Sequence, residues 1–194
     1  IGTLSLWLIG GGAIFLFELG NVATLGDLSI AERIGNGIFQ GITSRTAGFS
    51  SIDFAEARAG TLFIFMTLMF VGGASASTAG GIKINTAMVL LIAVLASLRG
   101  RTRPEIFKKQ LPYVQVARAA AVIALAFGVL LVSVLALTLT EEQNLATGRF
   151  EFTELLFETV SAIGTTGLST GITPDLTGPG QYLIALTMYI GRLG

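Results

Sequence analysis

Ser44-Arg45-Thr46-Ala47-Gly48-Phe49-Ser50 is a short polar turn between segments too apolar for an ordinary soluble core. It returns, altered, as Gly164-Thr165-Thr166-Gly167-Leu168-Ser169. Gly48 and Gly167 lie 119 residues apart, whereas Phe39-Gln40 and Phe157-Glu158 upstream of the two turns lie 118 apart. A one-residue insertion near Ile163-Gly164 brings the copies into register. Each turn follows a segment about half the length of a membrane span. Such a turn has a chemical use. A cation crossing a bilayer must exchange its water shell for fixed oxygens, and rings of backbone carbonyls supply them. Glycine lets the backbone aim successive carbonyls at one axis. Threonine adds a neutral hydroxyl acceptor, and the preceding half-helix points the negative end of its dipole at the ion. The pattern predicts an ion-binding pore loop in each copy.

Composition sets the solvent. Hydrophobic residues make up 52% of the 194 and charged residues 12%, about half the usual share. The mean hydropathy is +0.77. Such a chain cannot cover itself with a solvated surface, so lipid is its expected surrounding. Net charge is zero, which argues against a nucleic-acid partner. No cysteine or histidine is present, which removes thiolate metal sites, most zinc sites and the usual general base. The 25 glycines suit close helix packing in a membrane. Both ends read as cut, inside apolar runs at Ile1 and Gly194, so a piece of a longer membrane protein is expected.

Along the chain, Thr3 to Leu19 is an apolar span with one charge, Glu18, near its end. Asn21 to Asp27 is a polar turn. Ser29-Ile30-Ala31-Glu32 matches the Ser-x-x-Glu capping box and opens a helix to about Thr43. At roughly 22 Å that helix is too short to span, and re-entrant. Thr61 to Leu98 as one helix would be about 57 Å long, nearly twice the hydrocarbon core of about 30 Å. Four glycines in Gly72–Lys83 favour a break. Arg99 to Arg118 carries six of the 12 Lys and Arg against one acid, Glu105, and is placed on the cytoplasmic side. Ala119 to Thr138 is the second full span, Phe150 to Ile163 a second half-helix, and Gln181 to Gly194 a final inward helix. Both copies run in the same direction, because the basic loop lies between them.

Together, Ser44–Phe49, the segment Gly72–Lys83, Gly164–Gly171 and the closing Gly191-Arg192-Leu193-Gly194 resemble the Trk/Ktr/HKT superfamily of potassium transporters. The resemblance is closest to the KtrB subunits of its Ktr branch and covers essentially the whole chain. It implies an all-α membrane protein of parallel, potassium-channel-like helix–pore loop–helix repeats, two of four being present. Residues 1–98 resemble the third repeat, with a broken second helix. Residues 99–118 form a basic cytoplasmic connector, and residues 119–194 resemble a truncated fourth repeat. Carried over by position, Thr46, Ala47, Gly48 and Phe49 supply the third quarter of an ion filter, and Thr165, Thr166, Gly167 and Leu168 the fourth. K+ would be held by main-chain oxygens of Thr46, Ala47, Gly48, Thr165, Thr166 and Gly167.

The resemblance further implies a gate. In the family the broken helix forms an intramembrane loop that obstructs the pore below the filter. Here that loop carries Gly72, Gly73, Ser75, Ser77, Thr78, Gly80, Gly81 and Lys83. Ala76 stands where the family pattern has glycine, so the resemblance implies the loop's presence but not its exact backbone path. A Walker-type phosphate loop is excluded, because Ile82 separates Gly81 from Lys83. Arg192, a charge inside a span, is the second gate element and in the family contacts the loop. Arg45 is expected near the outer mouth, bracing the pore loop through hydrogen bonds. Glu154 and Glu158, four apart on one helix face, would pair with Arg45 or draw cations to the mouth.

The implied function is K+ uptake through a carbonyl-lined filter in a multi-pass inner-membrane subunit. A homodimer, a cytoplasmic nucleotide-binding regulatory ring and Na+ as an activator are further implied. The transported ion is K+, and no cofactor is expected in this chain. The alternative is a sodium-selective or sodium-coupled member of the same superfamily. A membrane-embedded enzyme lacks support: without His, Cys or paired catalytic carboxylates on one span, no reacting group is evident.

Overall fold

The apolar run that opens the chain folds as helix α1 (Gly2–Glu18) in a computed structural model that describes residues 2–73, 80–100, 105–106 and 109–193. A single π-turn, Val22–Gly26, follows, with Asn21 capping it through its side-chain oxygen and the Ala23 N–H (3.2 Å). Ser29 then starts α2 (Ile30–Thr43) through the expected box. Ser29 N–H donates to Glu32 Oε2 (2.9 Å), and Glu32 N–H to Ser29 Oγ (3.4 Å). The Ser29 hydroxyl and then its amide hold the Glu32 carboxyl below the ordinary carboxylate range. A depressed folded-state pKa means the cap is fully formed above the unfolded-state value and fades as pH falls through the folded-state one.

The long apolar stretch is indeed broken. Helix α3 (Ala59–Phe70) ends before Gly72, and α4 (Ile84–Leu98) starts after Lys83. The basic connector carries a minimal antiparallel pair, β1 (Glu105–Ile106) with β2 (Lys109–Gln110), a small departure from all-α structure. Helix α5 (Tyr113–Thr140) begins six residues before the predicted Ala119. Pro112, extended at ψ 137°, is its cap, and the chain turns helical directly after it. The charge of Arg118, exposed on this helix, had suggested a longer loop. Short α6 (Glu142–Ala146) leads to α7 (Phe152–Gly164), then a 3-10 turn, Thr173–Asp175, and α8 (Gly178–Leu193). Helix α8 also starts earlier than expected, taking Pro179 into its first turn, where a missing N–H costs nothing.

Helix α7 sits at the centre, packed against α3, α5 and α8, while α2 lies along α1. The α1–α2 crossing needs glycine: a methyl on Gly11 would come within 2.8 Å of the Gly37 carbonyl oxygen. Phe54 joins the two halves, its ring 5.2 Å from that of Phe65 in α3 and 5.3 Å from that of Phe157 in α7. Thr187 of α8 donates to Ser133 of α5 (3.1 Å) inside the packed interior. Helix α5 is the one described helix long and apolar enough to cross a membrane. Its most apolar 18 residues have mean hydropathy 2.8, and only 17% of that window is buried within the chain. It is therefore not the shielded core helix of a soluble protein. Helices Gly2–Glu18, Ala59–Phe70 and Ile84–Leu98 are apolar but shorter.

Two buried glutamates tie helix ends together in the same way. Glu18, at the end of α1, accepts from Asn21 Nδ2 (2.6 Å), Thr24 Oγ1 (2.8 Å), Arg58 N–H (2.9 Å) and the Thr61 hydroxyl. Glu141, at the end of α5, accepts from Asn144 Nδ2 (2.6 Å), Thr177 N–H (2.9 Å) and Thr177 Oγ1 (2.6 Å). Arg58 and Thr177 immediately precede α3 and α8, so each carboxylate closes a helix N-terminus, where anions are favoured. Both residues are fully shielded from solvent. Replacing either with alanine strands several buried donors at a cost of about 3 kcal/mol. Glu18→Ala and Glu141→Ala should therefore lower the thermal unfolding midpoint of the purified protein in detergent, with Glu18→Gln costing clearly less. An unchanged midpoint in the alanine variants would refute this account.

Candidate functional site

Helices α2 and α7 are about 21 Å and 20 Å long, and each ends at one of the two polar turns. The negative ends of their helix dipoles point at the turns. The turns share a backbone. Thr46 (φ 66°) and Thr165 (φ 49°) are the only non-glycine residues at positive φ among the described residues, and they are equivalent positions. Gly48 (φ 77°) and Gly167 (φ 90°) repeat the conformation two residues later, while Ala47 and Thr166 between them do not adopt it. Left-handed threonine costs energy and persists only where its surroundings demand it. The turns also meet. A methyl on Gly48 would come 2.6 Å from the Thr166 carbonyl oxygen and 3.5 Å from Gly167 Cα. Thr166 Oγ1 is buried without a hydrogen-bond partner, so its hydroxyl does not brace the turn.

The fourth positions differ. Leu168 is 2% exposed and packs in the main core with Phe54, Phe65 and Phe157, whereas Phe49 is 72% exposed. The second turn inserts its side chain into the first half of the chain. The first turn has no such neighbour among the described residues.

The flanks of the helix break converge on the foot of these turns. Val71 and Ile82 form a parallel bridge, Ile82 N–H donates to Phe70 O (3.3 Å), and Ile84 N–H to Gly73 O (3.1 Å). Gly80 N–H donates to Thr165 Oγ1 (2.9 Å), and Gly81 N–H to Gly191 O (3.4 Å). A methyl on Gly80 would come 2.5 Å from Thr165 Oγ1 and 2.8 Å from Gly191 O. The Gly80–Gly81 flank of the break is thus wedged between the second turn and the end of α8. Arg192, next to Gly191, is exposed in the last turn of α8, and Lys83 is half-buried at the start of α4. Of the residues assigned to the gate, Ser75, Ser77 and Thr78 lie outside the described residues.

Three side chains do other than expected. Arg45 turns toward the helix break instead of the outer mouth. Its Nη2 donates to Gly72 O just past the end of α3, where helix carbonyls lack partners. Glu154 caps its own helix, its Oε2 accepting from Glu151 N–H (2.7 Å). Glu158, 5% exposed, accepts from Ser169 Oγ (2.6 Å), Thr170 N–H (2.8 Å) and Thr173 Oγ1 (2.6 Å). Neither glutamate pairs with Arg45, because packing of α7 aims both at the loops around their own helix. Sequence reasoning passed over Glu141 and the hydrogen-bonding role of Gln40. A signal for the first existed: Glu18-x-x-Asn21 recurs as Glu141-x-x-Asn144.

Among the described residues no cluster of His, Cys, Asp or Glu is suited to a metal.

Known proteins align with this arrangement. The TrkH family, described as cation transport proteins, matches residues 2–194. Ktr system potassium uptake protein B of Bacillus subtilis (strain 168) is 42% identical over 193 residues, which is 100% of this chain and 42% of that protein. Potassium/sodium uptake protein NtpJ of Enterococcus hirae is 39% identical over 194 residues, again 100% of this chain and 42% of that protein. The crystal structure of the potassium transporter TrkH from Vibrio parahaemolyticus matches with a TM-score of 0.78 at 19% identity, covering 99% of this chain and 41% of that one. At that identity the likeness speaks for the fold, which is that of a helix–pore loop–helix transporter. The chain spans about two-fifths of the length of these relatives. None of the three is named as an enzyme. With a family match over all but the first residue and the same all-α fold, the chain belongs to the TrkH family of cation transport proteins.

Proposed function

We propose that this chain forms part of the ion pathway of a membrane subunit for K+ uptake, with Thr46–Phe49 and Thr165–Leu168 as two quarters of its filter. One observation carries the reading: two turns, each after a half-length helix, place positive φ at the same two positions and meet glycine to glycine. Alternation of left-handed and ordinary residues turns successive carbonyls toward a common side. Main-chain oxygens of Thr46, Ala47, Gly48, Thr165, Thr166 and Gly167 then replace the water of a K+ ion. The protein sits in the inner membrane as a homodimer, controlled by a cytoplasmic nucleotide-binding ring. Potassium uptake by the full-length protein in uptake-deficient cells tests this. Gly48→Ser or Gly167→Ser forces a side chain into a left-handed position, at Gly48 also against the Thr166 carbonyl, and should lower K+ over Na+ selectivity by about tenfold or more. Normal selectivity in both variants would remove the filter assignment.

The break flanked by Gly72–Gly73 and Gly80–Lys83 is the gate, with Arg192 below the filter raising the barrier to cations. Two residues hold it: Arg45, just before the first filter stretch, at its entry through Gly72 O, and Thr165 of the second at its exit through Gly80 N–H. Opening breaks these bonds, each worth about 1 kcal/mol. Thr165→Val and Arg45→Gln should each raise K+ leak of the full-length protein in liposomes by about fivefold. Unchanged leak in both would argue against a gate held from the filter.

A sodium-linked reading has one specific support, the 39% identity to a protein named for potassium and sodium uptake. Parallel K+ and Na+ flux measurements on the same liposomes separate the two, and K+ preference rejects the sodium-selective form.

A further inference from the structure

The loops that leave the two filter stretches are held by one device used twice. Gln40 of α2 is fully buried and faces the first loop. Its amide oxygen points at Ser51 N–H and Ile52 N–H, groups that can only donate, so the orientation is dictated by its neighbours. In that orientation it accepts from Ser50 Oγ (2.9 Å), Ser51 N–H (2.8 Å), Ser51 Oγ (3.2 Å) and Ile52 N–H (3.2 Å). Glu158 of α7 is the equivalent residue. Its Oε1 accepts from Ser169 Oγ (2.6 Å), Thr170 N–H (2.8 Å) and Thr170 Oγ1 (3.2 Å), and its Oε2 from Thr173 Oγ1 (2.6 Å). Ser50 and Ser51 answer to Ser169 and Thr170 at one spacing along the chain. Each leading serine also accepts from the residue two on, Ile52 N–H (3.3 Å) or Gly171 N–H (2.8 Å).

We infer that Gln40 and Glu158 are positioning residues of the ion filter, each fixing the outer end of one filter stretch by accepting hydrogen bonds from the loop that follows it. The common element is a buried acceptor oxygen, since one copy is neutral and the other acidic. Glu158 does not serve as an ion ligand, because its oxygens are engaged by loop donors and the residue is 5% exposed. Non-helical backbone inside an apolar molecule holds its course only where its polar groups are met. Here one residue of each half-helix meets them two or three positions after the filter ends. Slackening that hold widens the choice of carbonyl positions, and selectivity suffers before flux does.

The inference rests on the filter reading, so the experiment reads both selectivity and loop order. The full-length protein, wild type and variant, is reconstituted in liposomes for K+ and Na+ flux, and its amide exchange is followed in detergent. Glu158→Ala and Gln40→Ala should lower the K+ over Na+ ratio by about tenfold while retaining K+ flux, and raise exchange of the Thr170 and Ser51 amides by about tenfold. Glu158→Gln keeps an acceptor oxygen and should stay within about twofold of wild type in both readouts. Ser169→Ala with Thr173→Val removes donors without opening a cavity at α7 and should give about a threefold loss of selectivity. Wild-type selectivity with Glu158→Ala and with the donor pair overturns the inference. A Glu158→Gln variant as poor as Glu158→Ala overturns the acceptor role. If the wild type itself does not prefer K+, the filter reading fails, and faster amide exchange in the alanine variants would leave the positioning of the loops standing.

Discussion

Non-helical backbone in an apolar molecule must find its hydrogen-bond partners inside the protein, and the architecture follows from that constraint. The two turns, the loops beyond them and the broken helix all interrupt helical pairing. At several of these points among the described residues a side chain supplies the missing acceptor or donor. Gln40 and Glu158 serve the loops, Glu18 and Glu141 the starts of α3 and α8, Arg45 and Thr165 the two flanks of the break. Soluble proteins leave such groups to water. Here a side chain stands in for water at each point, which makes these polar residues structural before they are anything else.

Close packing supplies the second condition. The end of α7, the end of α3, Gly80 and Gly191 approach so nearly that a methyl on Gly164 would come 2.7 Å from the Met69 carbonyl oxygen. The foot of the second turn is therefore enclosed by the elements that flank the break. The second turn and the break are joined directly, because Thr165 of the turn accepts from Gly80 at the flank of the break. The left-handed threonines mark where the packing outweighs the local preference of the backbone.

Much of this was legible beforehand because local rules carried it. The Ser29–Glu32 box announced α2, the length of Thr61–Leu98 against a bilayer announced the break, and the recurring Thr/Gly sequence announced two turns of like backbone. Helix boundaries were less legible where charge and proline gave opposing signals. Arg118 argued for a loop, yet Pro112 set the start of α5. The partners of Arg45 and Glu158 were not legible at all, since each depends on which loop folds back over which helix, whereas Glu154 follows a local capping pattern, Glu151-x-x-Glu154. The two helix-closing glutamates had left a repeated Glu-x-x-Asn trace, but their burial against Arg58 and Thr177 is a tertiary fact.

The sequence by itself determined an apolar all-α chain of two related units, each with a half-helix ending in a glycine-bearing turn, because composition, helix length and glycine placement are local quantities. Tertiary structure alone decided that Gly48 meets Gly167, and that Leu168 is buried while its counterpart Phe49 is exposed. It also decided that the break lies against Thr165 and Gly191. The reason is physical. Equivalent residues in a repeat share their local conformation, but their burial depends on which neighbour each unit packs against. The second unit packs on the first, whereas the matching face of the first is exposed in this chain.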